Sequence, residues 1–252
     1  LPEREAAAYR KGADALGGRS HVETQTRKFD KELDELKRKL IHMAALAETM
    51  IDKTIGALVN RDERLAAKVP EYEEELNRLQ IEIDEAALTL LATRQPVASD
   101  LRFIVAATKI NGDIERIGDL AINITENVHV LAEQPPLKPL IDIPRMADLA
   151  RKMVRESLEA FVGGDPLLAQ SVIMTDDQVD ALKDQVLREL LTYMIVDPRT
   201  IERALALIFI SRHLERIADH ATNIAQDVIY MIQGRDVRHP RTPKERPPGL
   251  ET

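Results

Sequence analysis

Two runs of the chain carry side chains whose types and spacing suit ion chemistry. Ile114-Glu115-Arg116-Ile117-Gly118-Asp119-Leu120-Ala121-Ile122-Asn123-Ile124 returns as Leu214-Glu215-Arg216-Ile217-Ala218-Asp219-His220-Ala221-Thr222-Asn223-Ile224, an offset of 100 residues. What recurs is Glu-x-x-x-Asp-x-x-x-Asn. On an α-helix four residues advance 400°, so Glu115, Asp119 and Asn123 drift by about 40° per step and stand in one column, as do Glu215, Asp219 and Asn223. Carboxylate and amide oxygens in a column are ligands for a hard cation. With no cysteine in the chain, the donor set suits magnesium, manganese, calcium or ferric iron, and zinc only with help from carboxylate or histidine. Two carboxylates are an incomplete cage, so a neighbouring helix, water or a second subunit must supply the rest.

Like charges four apart on a helix cost about 0.2–0.5 kcal/mol unless something compensates them. One compensation is local. Arg116 lies three residues after Asp113 and three before Asp119, and Arg212 lies three before Glu215, which allows a solvated lattice of weak ion pairs. The other is a bound cation, favoured by duplication of the whole column in one register. Spacing leaves both open. A third ligand for the second site is offered by Asp180, which follows Asp176 and Asp177, where the matched stretch of the first half has Glu73, Glu74 and Asn77. If Asp180 completes that site, the uncharged Asn77 makes the first one weaker. The competing reading is that these acids merely favour a helix N-terminus.

The elements that must position these columns follow from the apolar pattern. Ile110, Ile114, Ile117, Ala121, Ile124 and Val128 are spaced 4, 3, 4, 3, 4, and Ile210, Leu214, Ile217, Ala221, Ile224 and Val228 repeat the spacing. This is an a/d seam, the stripe a helix buries in a bundle. Glu115, Asp119 and Asn123 then fall at b, f and c, on the flank away from the core. Prolines divide the chain into proline-free helical segments at 29–59, 71–93 and 97–131, then 145–162, 167–195 and 199–233. Asp165-Pro166 and Asp197-Pro198 read as N-caps ahead of a proline in the first turn. Gly163-Gly164 reads as a helix C-cap. The expected fold is all-α, two tandem three-helix bundles related by internal duplication. The expected organisation is a flexible leader over 1–26, a first bundle over 27–133, a Pro-rich linker over 134–144, a second bundle over 145–234 and a basic disordered tail over 235–252.

Composition narrows the function. A net charge of −8 argues against a nucleic-acid binder. The longest apolar stretch, Ala204 to Ile210, is seven residues, against about 20 for a bilayer span. The first twenty residues carry charges throughout and no apolar core of a secretory leader, and the absence of cysteine fits a cytoplasmic location. Glu126-Asn127-Val128-His129 has the Glu-x-x-His spacing of di-iron bundles, but such sites need two motifs projecting inward, and Glu126 falls at an outward f position. No Ser/His/Asp constellation or glycine-rich phosphate loop is visible.

These residues together resemble the PhoU family of bacterial phosphate-specific transport accessory proteins, over about Phe29 to His239. The likeness rests on Phe29-Asp30-x-Glu32-Leu33, Arg94-Gln95-Pro96 with Asp100-Leu101-Arg102, the two Glu-Arg-Ile-x-Asp helices, Leu191-Thr192-Tyr193-Met194 with Asp197-Pro198-Arg199, and Asp236-Val237-Arg238-His239. The resemblance implies two three-helix bundles, often dimeric, with metal ions or clusters held on the surface by the Glu-x-x-x-Asp motifs, here Glu115 and Asp119, Glu215 and Asp219. It implies a non-enzymatic negative regulator of the phosphate-starvation (Pho) response and of phosphate uptake. In that role the protein links the transporter ATPase PstB to the sensor histidine kinase PhoR and reaches the membrane only through partners. The alternative function is a metal-storage or metal-redox bundle.

Overall fold

A computed structural model describes the backbone of residues 2–238 and the side chains of residues 28–238. Its helices are α1 (Pro2–Asn60), α2 (Glu63–Ala66), α3 (Val69–Arg94), α4 (Ala98–Ala132), α5 (Asp142–Gly163), α6 (Pro166–Val196) and α7 (Ile201–Gln233), with no strand among the described residues. Each boundary has a local cause. The Asp62 carboxylate accepts the Arg64 N–H to start α2, and Pro70 occupies the first turn of α3. α3 stops where Gln95 turns left-handed at φ 47° and Pro96 follows. Asp165 accepts from the N–H groups of Leu167 and Leu168 ahead of Pro166, while Gly164, at φ 62°, closes α5. Asp197 caps a 3-10 turn, Pro198–Thr200, that leads into α7.

α1, α3 and α4 form one three-helix bundle, and α5, α6 and α7 the other. The a/d seam is the stripe they bury: Ile110, Ile114, Ile117 and Ala121 on α4, and Ile210, Leu214, Ile217 and Ala221 on α7, have no exposed surface. Each such isoleucine or leucine contributes about 1.5–3 kcal/mol. The most extensive helix contact lies between bundles, where α4 crosses α7, so the two expected cores merge into one. The crossing is antiparallel. Arg102 of α4 donates to the Met231 carbonyl at 3.0 Å, Lys109 to Asp227 at 3.1 Å, and Asp113 meets His220 at 2.8 Å. α1 also touches α5, through the Arg151–Asp52 pair.

Two element boundaries were not marked in the sequence. The backbone of the stretch expected as a flexible leader, 1–26, is helical from Pro2 onward, continuous with the first bundle helix. Its alanine, glutamate, lysine and arginine residues favour helix strongly enough to carry Gly17 and Gly18. The linker ends earlier than expected, since α5 begins at Asp142 with Pro144 in its first turn. Arg61, itself left-handed at φ 53°, holds the linker by donating to the carbonyls of Ala132 and Gln134 at 2.7 Å each. Of the expected tail, 239–252 lies outside the described residues.

Candidate metal centre

The two columns project from the middle of α4 and α7, on sides that a second helix overhangs. Glu115 retains 19% and Glu215 21% of its side-chain exposure, so they line grooves rather than the open flank that heptad position implied. The difference is one of neighbours. The b position flanks the seam, and within each three-helix bundle a neighbouring helix covers that flank, α3 over α4 and α6 over α7. Asn123 is half-buried and Asn223 is exposed. Asn223 lines the groove at the α4–α7 crossing together with Glu115, Arg116 and Asp227.

In the first bundle Glu73 of α3 joins Glu115 and Asp119. Desolvation, then the Asp119 charge, raises the pKa of both Glu73 and Glu115, while a hydrogen bond from Asn77 moderates Glu73. Arg116 is the counter-charge. Its Nη1 donates to Asp119 at 2.9 Å and its Nε lies 3.4 Å from Glu115. The local ion-pair compensation expected from sequence is therefore present here.

In the second bundle four carboxylates gather: Asp176 and Asp180 from α6, Glu215 and Asp219 from α7. Desolvation, followed by Asp219, Asp180, Asp177 and Glu215, pushes the Asp176 carboxyl up to about 6. Asp219 is raised by desolvation, then by Glu215 and Asp180. The cation among them is Lys183, which donates to Asp180 at 3.1 Å and to Glu215 at 3.0 Å. Those two bonds hold its ammonium charged far above the usual lysine range. One lysine facing four carboxylates leaves the cluster net negative and partly desolvated, which favours a further cation or a proton. Among the described residues no three His, Asp or Glu groups already converge into a cage.

Asp180 thus lies with Glu215 and Asp219, and the alternative explanation of its acidity does not apply. Asp176, Asp177 and Asp180 sit well inside α6, which starts at Pro166, far from the positive end of the helix dipole. Sequence reading missed Lys183 as the counter-charge and passed over Asp176 and Glu73. Asp176-x-x-x-Asp180 and Glu73-x-x-x-Asn77 repeat the four-residue step of the motif helices, and that step was the available signal. Glu126 and His129 are exposed and point out of the bundle, so no interior di-iron pair forms from them. His220, between the columns, pairs with Asp113 across the α4–α7 crossing.

The PhoU domain family matches residues 40–128 and 143–228, one match per bundle. The chain is 44% identical over 212 residues to a phosphate-specific transport system accessory protein PhoU homolog of Aquifex aeolicus, covering 84% of this chain and 96% of that one. It is 41% identical over 220 residues to the homolog of Pseudomonas putida, covering 87% and 85%. Among solved structures, PhoU from Pseudomonas aeruginosa superposes with a TM-score of 0.79 at 40% identity, over 82% of this chain and all of that one. The phosphate transport system regulatory protein PhoU from Streptococcus pneumoniae superposes with a TM-score of 0.77 at 28% identity, over 84% and 100%.

Proposed function

The chain belongs to the PhoU family, and from that premise we propose that it is a non-enzymatic, cytoplasmic regulator of phosphate homeostasis. It restrains the phosphate-starvation response and phosphate uptake by linking the transporter ATPase PstB to the sensor kinase PhoR. Support for the transport half comes from relatives named phosphate-specific transport system accessory proteins. No described helix is long and apolar enough to cross a membrane, so contact with a transporter in this reading is made through helix faces.

The observation that carries the regulatory half is the surplus of carboxylate at the second cluster, with Asp176 held up to about 6. These oxygens fit a hard cation such as magnesium, manganese or ferric iron. Asp176, Asp180, Glu215 and Asp219 would hold it in the second bundle, and Glu73, Glu115 and Asp119 more weakly in the first, with Asn123 and Asn223 as outlying amide donors. A bound cation supplies positive charge that the carboxylates lack and can recruit phosphate as an additional ligand. The residues themselves fix α6 against α7, since Lys183 already joins Asp180 to Glu215. The test compares wild type with a Glu115→Ala, Asp119→Ala, Glu215→Ala, Asp219→Ala variant for metal content and for co-purification with PstB and PhoR. Loss of both is expected. Retained partner binding with lost metal would detach the cation from signalling.

A further inference from the structure

The linker between the bundles roofs a cavity of about 230 Å³. Its floor is Leu58 of α1, Val128 and Leu131 of α4 and Leu207 of α7, all buried, and Leu137 and Leu140 of the linker complete the apolar wall. Small-ligand pockets favour such junctions between folded units. An apolar cavity of about 150 Å³ is enough for a benzene ring, so this one admits a phenyl or branched aliphatic group.

The cavity is preformed because its roof is stiff and tied from both bundles. Pro135, Pro136 and Pro139 lack an N–H and have a fixed φ, so the linker does not wind into a helix that would close the space. Arg61 donates to the carbonyls of Ala132 and Gln134 at 2.7 Å each, and Arg203 to that of Pro135 at 3.0 Å. Lys138, only 7% exposed, pairs with Glu189 of α6.

The charges at the rim select the occupant. Arg61 and Glu63 both line the cavity. Lys138 is neutralised by Glu189, and Asp62 by Arg64. Among the described residues Arg61 and Glu63 form no ion pair, with each other or with any other group, and Arg61 bonds only neutral carbonyls. Opposite, unneutralised charges two residues apart beside an apolar cavity match the three parts of an apolar amino acid. We propose that the cavity binds a free α-amino acid of the size of phenylalanine or leucine, its carboxylate on Arg61, its ammonium on Glu63 and its side chain beneath the linker. The site lies at the C-terminal end of α4, beyond the Glu115–Asp119 column, and draws on none of the clustered carboxylates. Its ligand touches both bundles and the segment that joins them.

The experiment is calorimetric titration of phenylalanine into the metal-free full chain at pH 7.5. One site is expected, with a Kd between about 10 µM and 1 mM, the range open to a ligand of about twelve heavy atoms. Phenylacetate and phenethylamine, each lacking one of the two charges, should bind at least about tenfold more weakly. Glu63→Gln should erase the preference for phenylalanine over phenylacetate. Val59 lines the cavity but is 47% exposed, so Val59→Trp should block binding of all three with unchanged helical circular dichroism. No uptake of phenylalanine or leucine at about 10 mM, well above that range, would overturn the site. Binding that survives Val59→Trp would overturn its location, and equal affinity for phenylacetate in wild type would overturn recognition of the ammonium by Glu63.

Discussion

Replacing Asp176 by asparagine removes one negative charge from the most crowded point of the second cluster while keeping the side chain's size. In the native chain the Asp176 carboxyl sits at about 6 against an ordinary 3.8, chiefly through desolvation and then through Asp219 and Asp180. A carboxyl raised on folding binds its proton more tightly in the native state. Its ionisation therefore costs stability, beginning as pH rises through the unfolded value near 4 and complete above the folded value near 6. Two units correspond to about 3 kcal/mol, and partial exposure with solvent screening reduces this to about 1–2 kcal/mol. Urea unfolding in the presence of a chelator should find Asp176→Asn more stable than wild type by that amount at pH 7.5, and equal to it near pH 4. Added manganese should reverse the order, because wild type gains binding energy that the variant has partly lost. A stability difference that stays flat between pH 4 and 7.5 would refute the crowding of charge on which this reasoning depends.

Lys183→Met removes the cation bridging Asp180 and Glu215; in chelator the variant should unfold at lower urea, yet bind manganese about tenfold more tightly by calorimetry. If its affinity falls instead, Lys183 orders the ligands rather than competing with the ion. Gly112 lies inside α4 with open space where a Cβ would stand, so Gly112→Ala should stabilise by about 0.5–1 kcal/mol in the same urea assay. Phe161 is fully buried and stacks on Phe103 with centroids 5.0 Å apart, joining α5 to α4. Phe161→Ala should cost about 3–5 kcal/mol, measured by thermal unfolding.

The helices were legible because each carries its own punctuation. Asp165-Pro166, Asp197-Pro198 and Gly164 begin or end helices where sequence placed the boundaries, and the a/d seam on α4 and α7 is the stripe that is buried. The merger of two cores was not legible, since a seam read on one helix says which side is apolar but not how many neighbours share it. For the same reason Glu115 and Glu215, assigned to an open flank, lie in grooves. The column within each motif helix follows from spacing alone. Its partners on α3 and α6, Glu73 and Asp176, and the counter-ion Lys183 depend on interhelical register, which sequence leaves free.

The most direct measurement is calorimetric titration of manganese into the metal-free chain, wild type against Asp176→Asn/Asp180→Asn/Glu215→Gln/Asp219→Asn. Saturable binding by wild type, with the tighter phase abolished in the variant, is the expected result. A variant that binds manganese as wild type does, or a wild type that takes up none, would contradict the claim that these carboxylates gather to hold a cation.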